Sequence, residues 1–493
     1  MSVATSDSPW RVLAETALRA KHWQDAIDVI RPQLEKVPTD AQAWVFLGEA
    51  LEHIDDYGSA WACYDRGWIL DPPAAWAPRV FERLRGHEDD PITPWVSQLL
   101  EVPPVRVMGA ILAKNEASQI QRCIEALKPA VDDVVVVDTG STDDTVAIAR
   151  GAGATVIEVE WQNDFGAARR AADQVLGDTG WVLWVDADEF LNVEDVHVPR
   201  IVAGLYDKWD PPMLLRFVQV NHLGERIEPN YDTTRMYPLG RGLSWLGRIH
   251  EQIGFLNGPQ PMQRGVARIR VDHWGYERDV MVQRDKYARN IRLLREWTKD
   301  EPNNAAAWGF LGRDLFISGK VEEAVDALYR AEANAMNDKT YGRIVEVRAV
   351  LCEALVRLKR LDEARVVAER AVASDPQHPS GWYWQAQVAL LQADERINRA
   401  VESARQAQAV APTYRGLVSF SPEIPMFLAP VVEADALKMQ GRLHEAWQKY
   451  SGAARVKPDH AGVQQQLNRL RIEAERILQE PFKLPPQGIK PVK

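Results

Sequence analysis

The sequence predicts an α/β domain set between two all-α arrays of helical repeats, and three observations point to that arrangement. Aromatic, small and apolar residues recur at corresponding places near both ends of the chain with a period of about 34 residues, which is the length of a stacked helical hairpin. Between the arrays, short apolar runs alternate with helix-like segments, the pattern of a parallel sheet with right-handed crossovers. The 493 residues are 46% hydrophobic and 26% charged, an ordinary globular composition at a length that implies two or three cores.

The first array occupies residues 1–100. Trp44, Leu47, Gly48, Leu51, Tyr57, Ala60, Tyr64, Gly67 and Pro72 reproduce the large and small pattern of a tetratricopeptide repeat, and Trp10, Leu13, Ala14, Trp23, Ala26, Ile30 and Pro38 do so one period earlier. Small residues fall where the two helices of a hairpin approach closely, and large ones fill the gap to the next hairpin. The second array occupies residues 301–480. Its repeats are marked by Trp308, Gly312 and Ala324, by Leu351, Ala364 and Pro376, by Trp382, Ala386 and Ala400 with a two-residue insertion, and by Ala434, Tyr450 and Pro458. About four repeats result, closed by a polar capping helix at 459–480, with a disordered tail at 481–493. Stacked hairpins form a concave groove, here expected to hold a protein or peptide acceptor; a bare scaffold and association of copies into a homo-oligomer are the alternatives.

In the middle region each element follows from the local pattern. The run VRVMGAILA from Val105 is a strand, 119–127 a helix, 134–137 a strand, 142–151 a helix, 155–159 a strand and 166–176 a helix. The run WVLWV at 181–185 is a buried strand that ends in Asp186-Ala187-Asp188. Such sheets bind ligands at the carboxyl ends of their strands. Here three strands end in polar residues: Lys114-Asn115-Glu116, Asp138-Thr139-Gly140-Ser141 and Asp186-Ala187-Asp188. Two carboxylates one residue apart at the exit of a buried strand suit a hard divalent cation. A diphosphate is the natural partner of that cation, which stabilises the charge that develops as the diphosphate departs.

The segments ILAKNEAS (111–118), VVVDTGSTDDT (135–145), FGAARRAA (165–172) and WVLWVDADEF (181–190) resemble the nucleotide-sugar-binding half of glycosyltransferase family 2 over roughly residues 105–280. The resemblance implies a GT-A (Rossmann-like) catalytic domain at 101–280, flanked by the tetratricopeptide-repeat solenoids. The combination is similar to bacterial protein glycosyltransferases that modify flagellin or the cysteine of glycopeptide bacteriocins. It implies a UDP-sugar donor and Mn2+ or Mg2+. Asn115 and Glu116 then lie in the first-strand loop near the uridine, Asp138 pairs with the uracil ring, and Asp143 closes the same turn. Gly140 supplies its permissive backbone. Arg169 lies beside the nucleotide, Asp186 reaches the ribose or the metal, Asp188 is the principal metal ligand, and His273 completes the metal shell. Many relatives read Asp-Asp-Gly-Ser where this chain reads Asp138-Thr139-Gly140-Ser141, one carboxylate fewer.

The acceptor half is carried by RMYPLGRGLSWLGRIHEQIGF (235–255) and VDHWGY (271–276), which supply His250, Glu251, Asp272 and His273 as candidate acids and bases. Single-displacement transfer inverts the anomeric centre and needs a base beside the attacking oxygen or sulfur. Glu251 is the first candidate and His250 the second. Trp245 and Trp274 stack on a sugar or peptide, or pack in the core. A connecting helix at 281–300 leads into the second array.

A net charge of −11 offers no broad basic surface for nucleic acid. Three cysteines, Cys63, Cys123 and Cys352, lack the spacing of a zinc site and suit a reducing cytoplasm. The start MSVATSDSPWR lacks the regions of a secretory signal, and no apolar run approaches the ~20 residues of a membrane span. With no span and no QxxRW motif, a processive membrane synthase is disfavoured. Two further readings remain, a transferase for a cell-surface glycan and a non-catalytic sugar-nucleotide-binding scaffold; intact Asp186 and Asp188 oppose the latter.

Overall fold

A computed structural model of the chain describes residues 8–223, 226–258, 260–274, 280–338, 341–392 and 397–479. The tail at 481–493 and residues 393–396, within the third C-terminal repeat, lie outside these residues. The chain divides into two compact units, Met1–Asp285 and Lys286–Lys493.

The first unit begins with two helical hairpins, Pro9–Arg19 with Trp23–Lys36 and Ala41–Glu52 with Tyr57–Leu70. The second hairpin shows why the repeat pattern folds this way. Asp40 and Asp56 cap its helices by accepting from the backbone N–H groups of Ala43 and Ser59, which meets the need of a helix start for an acceptor. Trp44 is fully buried and donates Nε1–H to the Pro38 carbonyl at 2.8 Å. Two short helices, Ala77–Arg83 and Pro94–Leu100, lead into the sheet.

The strands are β1 (Val107–Ala113), β2 (Asp133–Asp138), β3 (Thr155–Glu158), β4 (Trp181–Asp186), β5 (Glu189–Leu191), β6 (Met213–Leu223), β7 (Arg226–Asn230), β8 (Thr234–Pro238), β9 (Leu243–Leu246), β10 (Gln252–Phe255) and β11 (Gln263–His273). Their order in the main sheet is β3-β2-β1-β4-β8-β6-β11-β5, with β7 paired to β6, while β9 and β10 form a separate hairpin. The sheet is parallel from β3 to β4, as the alternation predicts. Beyond β4 it turns mixed: β8 is antiparallel to β4 and to β6, and β11 is parallel to β6. The expected helix at 142–151 starts only at Thr145, because residues 142–144 make loop contacts. The expected helix at 166–176 is two pieces, Phe165–Arg170 and Asp173–Leu176, since the N–H of Ala171 bonds to the carbonyls of both Ala167 and Ala168 and Ala172 bonds three residues back to Arg169.

One face of the sheet packs under the helices Ile120–Leu127 and Val198–Tyr206, and Ile69 of the last repeat helix joins the same apolar cluster as Val107, Ile111 and Phe217. The N-terminal repeats are therefore part of the sheet's own core. Polar groups pin the junction. Arg268 on β11 bonds Asp65 at 2.7 Å and Asp195 at 3.1 Å; Arg270 bonds Asp195 at 2.7 Å. Both guanidinium groups lie over the ring of Trp68, at 4.3 and 5.2 Å. Asp195 is fully buried, and stranding a buried charge is costly. Arg268→Met is expected to lower the unfolding free energy of this unit by about 3 kcal/mol, the low end for breaking a buried pair because Arg270 stays. Urea denaturation followed by tryptophan fluorescence measures it, and a loss under ~0.5 kcal/mol would refute the role.

The second unit continues from the helix Val280–Asp300 into four helical pairs and a closing helix, Ala461–Gln479. The bond of Trp44 recurs here, from Trp308 Nε1 to the Pro302 carbonyl at 2.8 Å and from Trp382 Nε1 to the Pro376 carbonyl at 2.9 Å. Gln464 makes it to Pro458 at the closing helix. At Gly312 a Cβ would stand 2.4 Å from Leu328 Cγ, which is why the pattern demands the smallest residue there. Residues 411–428 interrupt the array between the third and fourth pairs with the turns Ala411–Thr413 and Ile424–Leu428. Among the described residues no helix is long and apolar enough to cross a membrane, and the three cysteines are buried free thiols.

Candidate active site

Three loops at the carboxyl ends of β1, β2 and β4 form the floor of the site. The first two are zipped together. Asn115, at φ +55°, accepts the Thr142 N–H at 2.7 Å, and its own N–H donates to the Ser141 hydroxyl at 2.8 Å. The Glu116 N–H reaches the Thr145 hydroxyl, and Asp143 accepts from the Ala117 and Thr145 N–H groups. Asp138 is buried, and one of its oxygens accepts the N–H groups of Gly140 and Ser141 at 2.9 Å while the other takes the Ser141 hydroxyl. The carboxylate expected to meet a uracil ring thus shapes its own turn, with Gly140 at φ +93°.

At the end of β4, Asp186 is held on both sides. Its Oδ1 accepts from Arg169 Nη2 and its Oδ2 from Arg235 Nη2, each at 2.7 Å. Burial opposes its ionisation, but Arg235 and then Arg169 outweigh that and hold its carboxyl well below the usual carboxylate range. Arg169, expected beside the nucleotide, is only 2% exposed. Its Nε donates to Glu251 Oε1 at 2.8 Å, and its guanidinium lies 5.0 and 4.5 Å from the ring centroids of Trp184 and Trp245. Trp245 is core, packed edge-on against Trp184. Glu251 reaches this cluster because its loop is clamped to the helix Phe165–Arg170: the Phe165 N–H donates to the Arg248 carbonyl at 2.7 Å, and Arg170 donates to the Trp245 carbonyl at 2.6 Å. Its neighbour His250 is half-buried at φ +52°.

Asp188 and His273 meet on the open side. Asp188 Oδ2 lies 3.6 Å from His273 Nε2, and His273 Nδ1 pairs with the Asn221 side chain at 3.0 Å. Burial works against the charged imidazole, but Asp188 foremost raises its proton affinity. Neighbouring strand residues face opposite ways, so Asp272 falls on the other face of β11. There it bonds His222 at 2.7 Å, and Trp274, 51% exposed, stacks on His222 at 3.8 Å. Two residues escaped the sequence reading. Glu189 is buried, accepts the Asp186 N–H and the Gln219 amide, and is pushed up by burial and by the charge of Asp186; its alternation with Asp188 hid it. Arg235 opens the segment singled out for the acceptor, but nothing local marks it as the partner of Asp186.

Among the described residues no three His, Cys, Asp or Glu side chains converge as an all-protein metal cage. Asp188 and His273 stand where a divalent cation could be held, while each oxygen of Asp186 already accepts one arginine bond. Two protein ligands suit an ion whose other positions are filled by water and phosphate oxygens.

Residues 110–210 match the family model described as Glycosyl transferase family 2, and residues 11–75, 281–339 and 352–415 match a tetratricopeptide-repeat model. The SPbeta prophage-derived glycosyltransferase SunS of Bacillus subtilis is 28% identical over 249 residues, 50% of this chain and 58% of the relative, so this chain spans less than two thirds of that relative's length. A TPR repeat-containing protein of Synechococcus elongatus is 29% identical over 62% of this chain and 76% of its own. Among solved structures, a thermophilic TPR protein of Thermus thermophilus aligns over 39% of this chain and 94% of its own, at 21% identity and a TM-score of 0.29.

Proposed function

We propose that this chain, which carries a family 2 glycosyltransferase domain together with tetratricopeptide repeats, transfers a sugar from a nucleotide sugar, a UDP-sugar first, to a protein or peptide acceptor with inversion of the anomeric centre. The observation that carries the reading is the exit of β4, where Asp188 stands 3.6 Å from His273 while arginines hold Asp186. Asp188 and His273 would hold Mn2+ or Mg2+, which when bound supplies charge stabilisation to the departing diphosphate.

The remaining work falls to side chains of the chain itself. The zipped loops after β1 and β2 bound the nucleotide pocket with Asn115, Glu116 and Asp143. Glu251 takes the proton of the attacking hydroxyl or thiol. One of its oxygens is occupied by Arg169, which leaves the other for the acceptor. No carboxylate is needed as a nucleophile under the sugar, so one displacement suffices. The helical repeats of the second unit support a protein acceptor, since stacked hairpins are surfaces for binding extended or helical segments.

The donor is tested by screening hydrolysis of UDP-, GDP- and dTDP-sugars with the full chain. Truncation after residue 300, which removes the second array, is expected to abolish transfer to a protein acceptor while donor hydrolysis survives within about threefold, because binding and chemistry would then sit on separate elements. Equal loss of both activities would refute acceptor docking by these repeats.

A further inference from the structure

We infer that Arg169 is a positioning residue, one that sets the proton-accepting carboxylate of Glu251 against the aspartate at the β4 exit rather than binding the nucleotide; the inference rests on the base role proposed for Glu251. Two of its three guanidinium nitrogens are engaged by carboxylates. The guanidinium is 2% exposed and lies against two indole rings, Trp184 and Trp245, which are themselves nearly perpendicular to one another at 85°. From that cage Nη2 reaches Asp186 and Nε reaches Glu251, at 2.7 and 2.8 Å. Two carboxylates from distant segments, Asp186 and Glu251, would repel if brought together alone. A single planar cation between them removes the repulsion and fixes their mutual orientation, which a flexible ammonium with no fork does not reproduce.

The backbone makes the same connection. At Gly166, on the helix that carries Arg169, a Cβ would stand 2.4 Å from the Gly247 carbonyl oxygen, so helix and loop touch main chain to main chain just ahead of Glu251. The Phe165 N–H to Arg248 carbonyl bond fastens the contact. Arg235 takes the remaining oxygen of Asp186. Asp186 thereby stays paired when Arg169 is replaced, and a change at Arg169 acts chiefly on Glu251.

The test is a double-mutant cycle read on whichever sugar nucleotide the hydrolysis screen identifies, with UDP binding measured by titration calorimetry in the presence of Mn2+. Arg169→Met is expected to lower kcat about 10²-fold, the size of a small misplacement of a reacting group, while UDP affinity changes less than about threefold. The double variant Arg169→Met/Glu251→Gln is expected to be no slower than Glu251→Gln alone, within about threefold, because residues that act through one another are not additive. Should Arg169→Met not fold, Arg169→Lys enters the same cycle, since it keeps the charge and loses the fork. Losses that multiply, or a loss of UDP affinity that matches the loss of kcat, overturn the inference and leave the base assignment standing. A near-normal rate for Glu251→Gln overturns both.

Discussion

Asp188→Asn is expected to lower transferase turnover about 10³-fold, equivalent to about 4 kcal/mol of transition-state stabilisation. Asp188 Oδ2 is the oxygen nearest His273 and its side chain is part-exposed, so the substitution removes a charge from the open side of the site without stranding a buried partner. Thermal stability should stay nearly unchanged. The neighbouring Asp186 is not expected to compensate, because Arg169 and Arg235 balance its charge and hold its orientation. Chelation of the wild-type protein should reproduce the loss, and added Mn2+ or Mg2+ should reverse the chelation but not the mutation. Full activity in excess chelator would end the metal assignment for both Asp188 and His273.

Glu251→Gln is expected to reduce turnover about 10²–10⁴-fold, the range of general-base catalysis, with UDP affinity nearly intact. Gln keeps the shape of the side chain and a carbonyl oxygen for the Arg169 Nε–H, so the loop stays on its helix while the proton acceptor is lost. A cysteine acceptor, already partly thiolate near neutral pH, should depend on this residue less than a serine does. The stereochemistry is read independently: NMR of the product from an α-linked donor should show a β-linkage. An α-linked product would overturn the single displacement, and an undiminished rate would move the base to His250, which adjoins Glu251 in the same loop.

The two halves of the molecule were legible to different degrees. Repeats could be read because each hairpin repeats its packing problem: Gly312 must clear Leu328, and Trp44, Trp308 and Trp382 each bond the carbonyl of a proline six residues back. The parallel strands β1, β2 and β4 and their polar exits could be read for a similar reason, since burial on both faces writes a continuous apolar run that ends where the strand leaves the core. Helix starts were less legible. Thr145 begins its helix late because the loop before it is engaged with Asn115, an interaction between residues 27 apart.

The sequence by itself determined the hairpin arrays, the parallel half of the sheet and the placement of Asp186 and Asp188 at a strand end, all of which follow from patterns local to each element or repeat. Tertiary structure decided which charged groups face one another. Arg169 meets Glu251 across 82 residues, Arg235 meets Asp186 across 49, and Arg268 meets Asp65 across the junction of repeat and sheet. It also separated His273 from Asp272 and Trp274, because β11 shows alternate residues to opposite faces and its pairing with β6 on one side and β5 on the other fixes which face holds the site. The physical reason is that periodicity records burial, which is local to an element. An ion pair records the distance between two elements, and that distance exists only once the sheet order β4-β8-β6-β11 has formed.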